Sequence, residues 1–433
     1  IKDGSGPPRT VLLSGSFDYT MQRHDLRSGR GQRLSEPNRF DAFEGAVNAV
    51  AFATSNPGGT SPDVMAAAGD DGKLWLYALG NGRQLASVSG HTAKINHIDV
   101  LGARLVTSSW DRSARIWTIP PVRDGVGAAL KLETPVTLEG HRGPVTASAF
   151  SADGAFVFTA SSDGNLRKFD ARTGDLKRIA YKHGWGLNML QRIPGTRFIA
   201  FGATDGAVGL FHTEAGTVTK TLAQHTRPVL ALAVAGARLA TAGGDGIIRV
   251  WSTATWERIE EYKNPFGPIW ALAFSADGKT LFYGGLDDKV HVWQVTPRKP
   301  FEPVASAFPR RFQKTASSDD PIEIGRIQFA RKCSVCHTLT PDGANRAGPT
   351  LHKIFGRKIA THKGYRFSEP LKKLDIVWTP ETVSKLFELG PDVFTPGSKM
   401  PLQKMTDPKQ RDALIAFLKQ ATEPSSRNAS GSN

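Results

Sequence analysis

Thr107-Ser108-Ser109-Trp110-Asp111-Arg112-Ser113-Ala114-Arg115-Ile116-Trp117 is one copy of a pattern that recurs seven times in the first 297 residues of a 433-residue chain. Small residues lead into a turn aspartate, and six residues later an aromatic or similar side chain closes the next strand. The copies run Ser16-Phe17-Asp18 to His24, Gly69-Asp70-Asp71 to Tyr77, Ser109-Trp110-Asp111 to Trp117 and Ser161-Ser162-Asp163 to Phe169. Ala203-Thr204-Asp205 to Phe211, Gly243-Gly244-Asp245 to Trp251 and Gly285-Leu286-Asp287 to Trp293 complete the series. Successive aspartates stand 53, 40, 52, 42, 40 and 42 residues apart. A period near 40 with short alternating strands specifies the blades of an all-β propeller, and seven copies specify seven blades.

Four copies carry a histidine 20 to 22 residues before the aspartate: His91, His141, His183 and His225. On these residues, 1–297 resembles the WD-repeat family. That resemblance implies a buried network of histidine, strand Ser/Thr, turn aspartate and terminal tryptophan. His91, Thr107, Asp111 and Trp117 match it fully, as do His225, Thr241, Asp245 and Trp251, whereas the copy at His141, Thr159 and Asp163 ends in Phe169 and loses the indole donor. The same residue types invite a catalytic-triad reading. Their recurrence in blade after blade assigns them to the fold instead. Aligned on the repeat, Lys2-Asp3-Gly4 falls at the turn after an innermost strand, so blade one is expected to be incomplete at its start. Either residues upstream of Ile1 or a segment near Val304–Phe312 is expected to fill that slot.

Beyond the repeats lies Cys333-Ser334-Val335-Cys336-His337, containing the only two cysteines of the chain. Two cysteines spaced by two residues can each add to a haem vinyl group, with the following histidine beneath the iron. A redox dithiol would need a surrounding βαβ pattern, and a zinc half-site would need a second Cys/His pair; neither is present. One covalent haem c is therefore expected. Thr395-Pro396-Gly397-Ser398-Lys399-Met400-Pro401 offers a methionine in a Pro/Gly-rich turn as the sixth ligand, with Met405 as the competitor. His337 and Met400 are the expected metal ligands.

From Gly325 to about Ala421 the chain resembles the class I cytochromes c, particularly the mitochondrial and purple-bacterial type. The resemblance rests on Cys333–His337, Gly348-Pro349-Thr350-Leu351, Phe355-Gly356-Arg357, Trp378, Pro396–Met400 and Arg411–Leu418. It implies that Pro349 braces the proximal histidine, that Arg357 and Trp378 bond the haem propionates, and that Tyr365 belongs to the haem site. Where the family carries a tyrosine before this tryptophan, Tyr365-Arg366-Phe367-Ser368 has Phe367. The residues read independently as a small helical haem domain. Asp320 caps a helix with Pro321 in its first turn, and Ile322, Gly325 and Phe329 share one face. Thr379-Pro380 starts a helix with Val383, Leu386 and Phe387 inward, ended by Gly390-Pro391, and Asp407-Pro408 starts another presenting Leu414, Phe417 and Leu418. Gly325 would let the first and last helices cross closely.

The expected organisation is multidomain, an all-β seven-bladed propeller followed by an all-α cytochrome c domain. The propeller spans 1–297, a basic proline-rich linker 298–318, the cytochrome domain 319–423 and a disordered tail 424–433. No stretch reaches the length of apolar residues that spans a bilayer. Fifty-five basic against 40 acidic residues give a net charge of +15. Lys332, Lys353, Lys358, Lys363, Lys399 and Lys404 cluster in sequence around the haem motifs. In the resembled cytochromes such lysines steer docking onto acidic patches of redox partners. Nucleic acid is not an expected partner, since no basic run is interleaved with aromatics. The family attaches haem outside the cytoplasm, and a propeller fused to a cytochrome points to a bacterial periplasm. Two functions compete. One is single-electron transfer with the propeller as docking scaffold, the chain not itself being an enzyme. The other is a periplasmic oxidoreductase with an unrecognised active site in the propeller, where His24, His97, His212 and His291 lie scattered among strands.

Overall fold

The computed structural model describes residues 10–17, 19–26, 38–56, 59, 61–122, 130–264, 267–285, 290–296, 320–333, 337–339, 348–365, 367–396, 398, 400 and 404–422. The chain divides into two compact units, Ile1–Ser306 and Ala307–Asn433.

The first unit is a ring of seven antiparallel sheets, spanning 10–40, 47–89, 95–138, 145–182, 187–222, 229–263 and 271–294. Each is a meander in which sequence neighbours pair, so the seven blades expected from the aspartate repeat are all present. The first strand of each complete blade lies innermost, against the first strand of the next. Second strands such as Val64–Gly69, Arg104–Ser109 and Phe156–Ser161 are buried almost throughout. Sheets cover both of their faces, which is why they read as runs of Ala, Ser, Val and Phe rather than as alternating strands. Fourth strands such as Leu176–Lys182 and Thr217–Leu222 face water and carry lysine and threonine. Phe158 against Phe211, at 5.7 Å, is one contact that locks neighbouring blades.

The innermost strands share two features. A bulge recurs near the start of five of them, between Val47 and Ala49, Ile95 and His97, Val145 and Ala147, Leu187 and Met189, and Val229 and Ala231. Such repetition marks a built-in bend. Their open edges are also capped by side chains from the preceding blade. Asn48 Nδ2 donates to Ile95 O (3.1 Å), Thr146 Oγ1 to Leu187 O (2.5 Å) and Asn188 Nδ2 to Val229 O (3.0 Å). His97 Nδ1 accepts from Ser148 N (3.4 Å) and Asp99 Oδ2 from Phe150 N (2.8 Å). Backbone groups facing the axis thus gain partners that the ladder cannot supply.

Among the described residues blade one holds three strands, Thr10–Gly15, Met21–Leu26 and Asn38–Phe40. Its first strand aligns with the second strand of the other blades, as the register of the repeat requires. The segments expected to complete it, before residue 10 and at 304–312, lie outside the described residues, as do Asp18 and Asp287. The last blade also holds three among the described residues, Ala271–Phe274, Thr280–Gly284 and Val290–Gln294.

The second unit contains α1 (Pro321–Lys332), α2 (Glu369–Lys372), α3 (Pro380–Leu389), α4 (Pro391–Phe394) and α5 (Pro408–Thr422). Asp320 accepts from Ile322 N at 2.9 Å, capping α1. Thr379 and Thr382 form a reciprocal capping box on α3, and Gly390 ends that helix at φ 96°. Val383, Leu386, Phe387, Leu414 and Leu418 form the core with Phe329 and Cys333. Gly325 lies where α1 crosses α5: a Cβ there would sit 1.9 Å from Ala413 O. The expectation of an all-α domain holds only in part. Among the described residues two of the five helices are single turns, and residues 348–365 are irregular, their one β-feature being the antiparallel bridge Lys358–Val377. The irregular backbone here is fixed by glycine turns and by hydrogen bonds to neighbouring segments rather than by helix propensity. Among the described residues no helix is long and apolar enough to cross a membrane. The stretches read as linker and tail, 298–318 and 424–433, lie outside the described residues.

Candidate functional site

Helix α1 delivers the attachment motif. Its last turn ends at Cys333, buried, whose N–H donates to Phe329 O (2.9 Å), and His337 N donates to Cys333 O (2.9 Å). Cys336 lies outside the described residues.

His337 is held from two sides. Its Nδ1–H donates to Pro349 O at 2.8 Å, which places the ring lone pair on Nε2. Burial first, and the Arg357 charge after it, push the imidazole below its usual range, outweighing the Pro349 bond that favours the protonated form. A neutral ring with Nε2 free is the form that binds iron. Gly348 makes room for it, because a Cβ at that position would meet His337 Cε1 at 2.3 Å.

Met400 packs against the core formed by Phe329, Cys333 and α5, together with Leu351, Phe355 and Trp378. Its N–H donates to Ser398 Oγ (3.1 Å), and Ser398 N donates to Thr395 O (2.9 Å), so the turn has its own scaffold. Met405 sits in the same core at 3% exposure. Its carbonyl accepts from the Arg411 guanidinium (2.7 Å) and its N–H donates to Phe387 O (2.7 Å), which ties it into helix packing.

Arg357 and Trp378 stand opposite one another on a short antiparallel ladder, with Trp378 N donating to Arg357 O (2.9 Å) and Gly356 N to Trp378 O (2.8 Å). The half-buried Arg357 guanidinium donates to Thr350 O (2.7 Å) and to His362 Nδ1 (3.0 Å). Both acceptors are neutral, and burial lowers the Arg357 pKa with no carboxylate countering it among the described residues. A cation buried in that way is poised for an anion. The donor set therefore fits haem on this structure: a neutral imidazole with Nε2 free, a thioether on the same core, and a guanidinium awaiting negative charge such as a propionate. Tyr365 packs edge-on against Phe367 at 4.8 Å. Lys353, Lys358, Lys363 and Lys404 are exposed, with Lys358 paired to Asp375 at 2.8 Å. Lys399 and the Lys332 side chain lie outside the described residues.

The recurring propeller constellations are closed networks. Trp117 Nε1 donates to Thr107 Oγ1 (3.0 Å), His91 Nε2 lies 2.8 Å from that hydroxyl, and His91 Nδ1 lies 2.8 Å from Asp111. In the second full copy Trp251 Nε1 donates to Thr241 Oγ1 (3.3 Å), His225 Nε2 lies 3.0 Å from that hydroxyl, and His225 Nδ1 lies 3.1 Å from Asp245. At the copy ending in Phe169, Arg167 enters instead, 2.8 Å from Asp163 and 2.5 Å from His141 Nδ1. The scattered histidines also have local roles. His24 lies 3.5 Å from Ser14 Oγ, His212 Nδ1 accepts from Ala215 N (3.1 Å), and His291 stacks on Tyr283 at 4.8 Å. Sequence reasoning missed His362 and the Thr350 carbonyl, because neither has a residue type or spacing that announces contact with Arg357.

The WD40 (WD domain, G-beta repeat) family model matches residues 82–118, 133–170, 216–252 and 256–294, and the cytochrome c model matches residues 322–422. A crystal structure of the WD40 β-propeller domain of Doa1 superposes with a TM-score of 0.53, at 17% identity over 65% of this chain and 88% of that one, which supports the fold alone. A cytochrome c of Gibberella zeae is 36% identical over 102 residues, which are 24% of this chain and 95% of that protein. Cytochrome c2 of Rhodopila globiformis is 38% identical over 104 residues, 24% of this chain and 95% of the relative. An Arabidopsis thaliana cytochrome c is 37% identical over 99 residues, 23% of this chain and 88% of the relative. The likeness carries with it a covalently bound haem c and haem-based electron transfer. Through residues 322–422 the chain belongs to the cytochrome c family, and it joins that module to a seven-bladed WD40 β-propeller.

Proposed function

We propose that this chain is a periplasmic bacterial carrier of single electrons. Cys333, Cys336, His337 and Met400 would hold the haem, and the propeller would serve as a docking scaffold within a redox complex. Bound haem c supplies a one-electron iron couple. The polypeptide's part is to hold that couple and to exclude reactants. The His337 Nδ1–H to Pro349 O bond carries this reading, because it fixes the only tautomer that presents Nε2 as a ligand. Met400 is preferred over Met405, whose backbone is tied into the α3 and α5 packing on both its N–H and its carbonyl side. Arg357, Trp378 and Tyr365 line the propionate side, Pro349 braces His337, and the whole of 319–423 forms the helical haem domain between a linker at 298–318 and a tail at 424–433.

Exposed Lys353, Lys358, Lys363 and Lys404 present positive charge for an acidic patch on a redox partner. The periplasmic assignment rests on the family's mode of haem attachment. Replacement of each methionine tests the ligation. Met400→Ala is expected to abolish the methionine-sulfur charge-transfer band of the oxidised holoprotein and lower its reduction potential, while Met405→Leu keeps both. Loss of the band in Met405→Leu with its retention in Met400→Ala would reverse the assignment.

A further inference from the structure

We infer that His362 is a positioning residue that couples proton uptake to reduction of the haem site, acting through Arg357. The inference rests on the reading above in one respect, that Arg357 faces a haem propionate.

Arg357 is the hub of a short chain of contacts. Its guanidinium donates once to Thr350 O and once to His362 Nδ1, at 2.7 and 3.0 Å. Thr350 follows Pro349, whose carbonyl takes the Nδ1–H of His337. Adjacent carbonyls thus anchor the expected axial ligand and the buried cation, and His362 is the second anchor of that cation. To accept from Arg357, His362 must be neutral with its proton on Nε2. Protonation at Nδ1 removes the acceptor and sets a positive ring beside a guanidinium. Partial burial and then the Arg357 charge both push His362 below the usual imidazole range. Among the described residues Arg357 is the charged group acting on it. Of its neighbours on the loop, Lys363 is exposed and Lys358 is engaged by Asp375. Thr361 Oγ1 donates to Lys358 O (2.7 Å) and Trp378 N to Arg357 O (2.9 Å), holding the segment that presents the histidine.

The sign follows from charge. Gaining one electron makes the haem site more negative, so a proton is held more tightly on His362 in the reduced protein than in the oxidised one. Between the two pKa values, reduction takes one electron from the redox partner and one proton from water onto His362 Nδ1. There the reduction potential falls as pH rises, and it is flat on either side. Outside that window Arg357 keeps one arrangement in both oxidation states. This is a device that neither the haem motif nor the lysine pattern contains.

The experiment is spectroelectrochemical titration of the full-length holoprotein across about pH 5 to 8, with His362→Gln as the variant. Glutamine keeps a neutral oxygen acceptor for Arg357 and cannot titrate. Wild type is expected to show a sloping segment reflecting a ~3- to 10-fold difference in proton affinity, or ~30–59 mV for a one-electron couple. His362→Gln is expected to be flat over the same range with an unchanged visible spectrum. NMR titration of the His362 ring protons should give a higher pKa in the reduced than in the oxidised protein. A flat wild-type profile, a slope that survives in His362→Gln, or equal ring pKa values in the two states would each overturn the coupling. Failure of the underlying reading looks different: if Arg357 does not face a propionate, Arg357→Gln leaves the reduction potential unchanged at pH 8, where His362 is neutral in both proteins.

Discussion

Thr107, Thr159 and Thr241 occupy the same strand position in three blades but do different work. At Thr107 and Thr241 the hydroxyl accepts an indole N–H and donates to histidine Nε2, so His91 and His225 carry their proton on Nδ1 and give it to aspartate. With Phe169 in place of tryptophan, Arg167 Nη1 comes to 2.5 Å from His141 Nδ1, nearer than the Asp163 carboxylate at 3.2 Å; a guanidinium can only donate, so the His141 proton is expected on Nε2, facing Thr159 Oγ1 at 2.6 Å. Nitrogen-15 NMR should therefore find the Nε2–H tautomer at His141 and Nδ1–H at His91 and His225; the same tautomer at all three would refute this. Thr107→Val leaves two buried polar atoms unpaired and Thr159→Val one. At about 1–3 kcal/mol for each, urea unfolding should rank Thr107→Val as the more damaging. The histidines, threonines and turn aspartates were legible in the sequence because they recur at fixed spacing. Arg167 was not, since a charged residue within a strand reads as a solvated face until the missing indole is noticed. His362 was equally hidden, because its partner is set by how the 357–365 loop folds.

At the scale of elements, sequence and structure agree where a backbone rule operates. Proline in the first turn, Asp320 and Thr379 as caps, and Gly390 as terminator mark helices that form where expected. They differ where partners come from another element. His97 and Asp99 stand where the inner strands Val47–Ala53, Val145–Phe150 and Val229–Ala235 place alanines, and the reason is visible only across blades, where they cap the 148 and 150 amides. Gly325 was readable as a close-crossing site, and the space there is smaller than a methyl group. Gly325→Ala must push α1 from α5 against backbone, since Ala413 O is the obstructing atom. A loss of about 1–3 kcal/mol is expected. Thermal unfolding followed at the haem band checks it, and an unchanged midpoint would mean that the crossing is not tight.

For the molecule as a whole, buried imidazoles make the propeller acid-labile. Burial lowers His97 to about 4, and burial with the Arg167 charge lowers His141 to about 4. Both bind protons more readily when unfolded, so the stability they permit is complete above pH ~6.5 and is lost as pH falls toward 4, on the order of 3 kcal/mol apiece. Asp99 works the other way, since burial raises its pKa and acid relieves a buried charge. The net expectation is a lower urea midpoint for the β-signal at pH 4.5 than at pH 7, with His97→Ala flattening the dependence; equal midpoints would contradict it. The proposed association with an acidic redox partner should weaken as salt is raised, because exposed lysines act through water. The proposed carrier role depends on His337 and Met400 together leaving a bound haem no site for a reactant. Carbon monoxide added to the intact ferrous holoprotein at neutral pH tests that most directly. The account predicts no change in the reduced spectrum, and prompt formation of a carbonyl complex would contradict it.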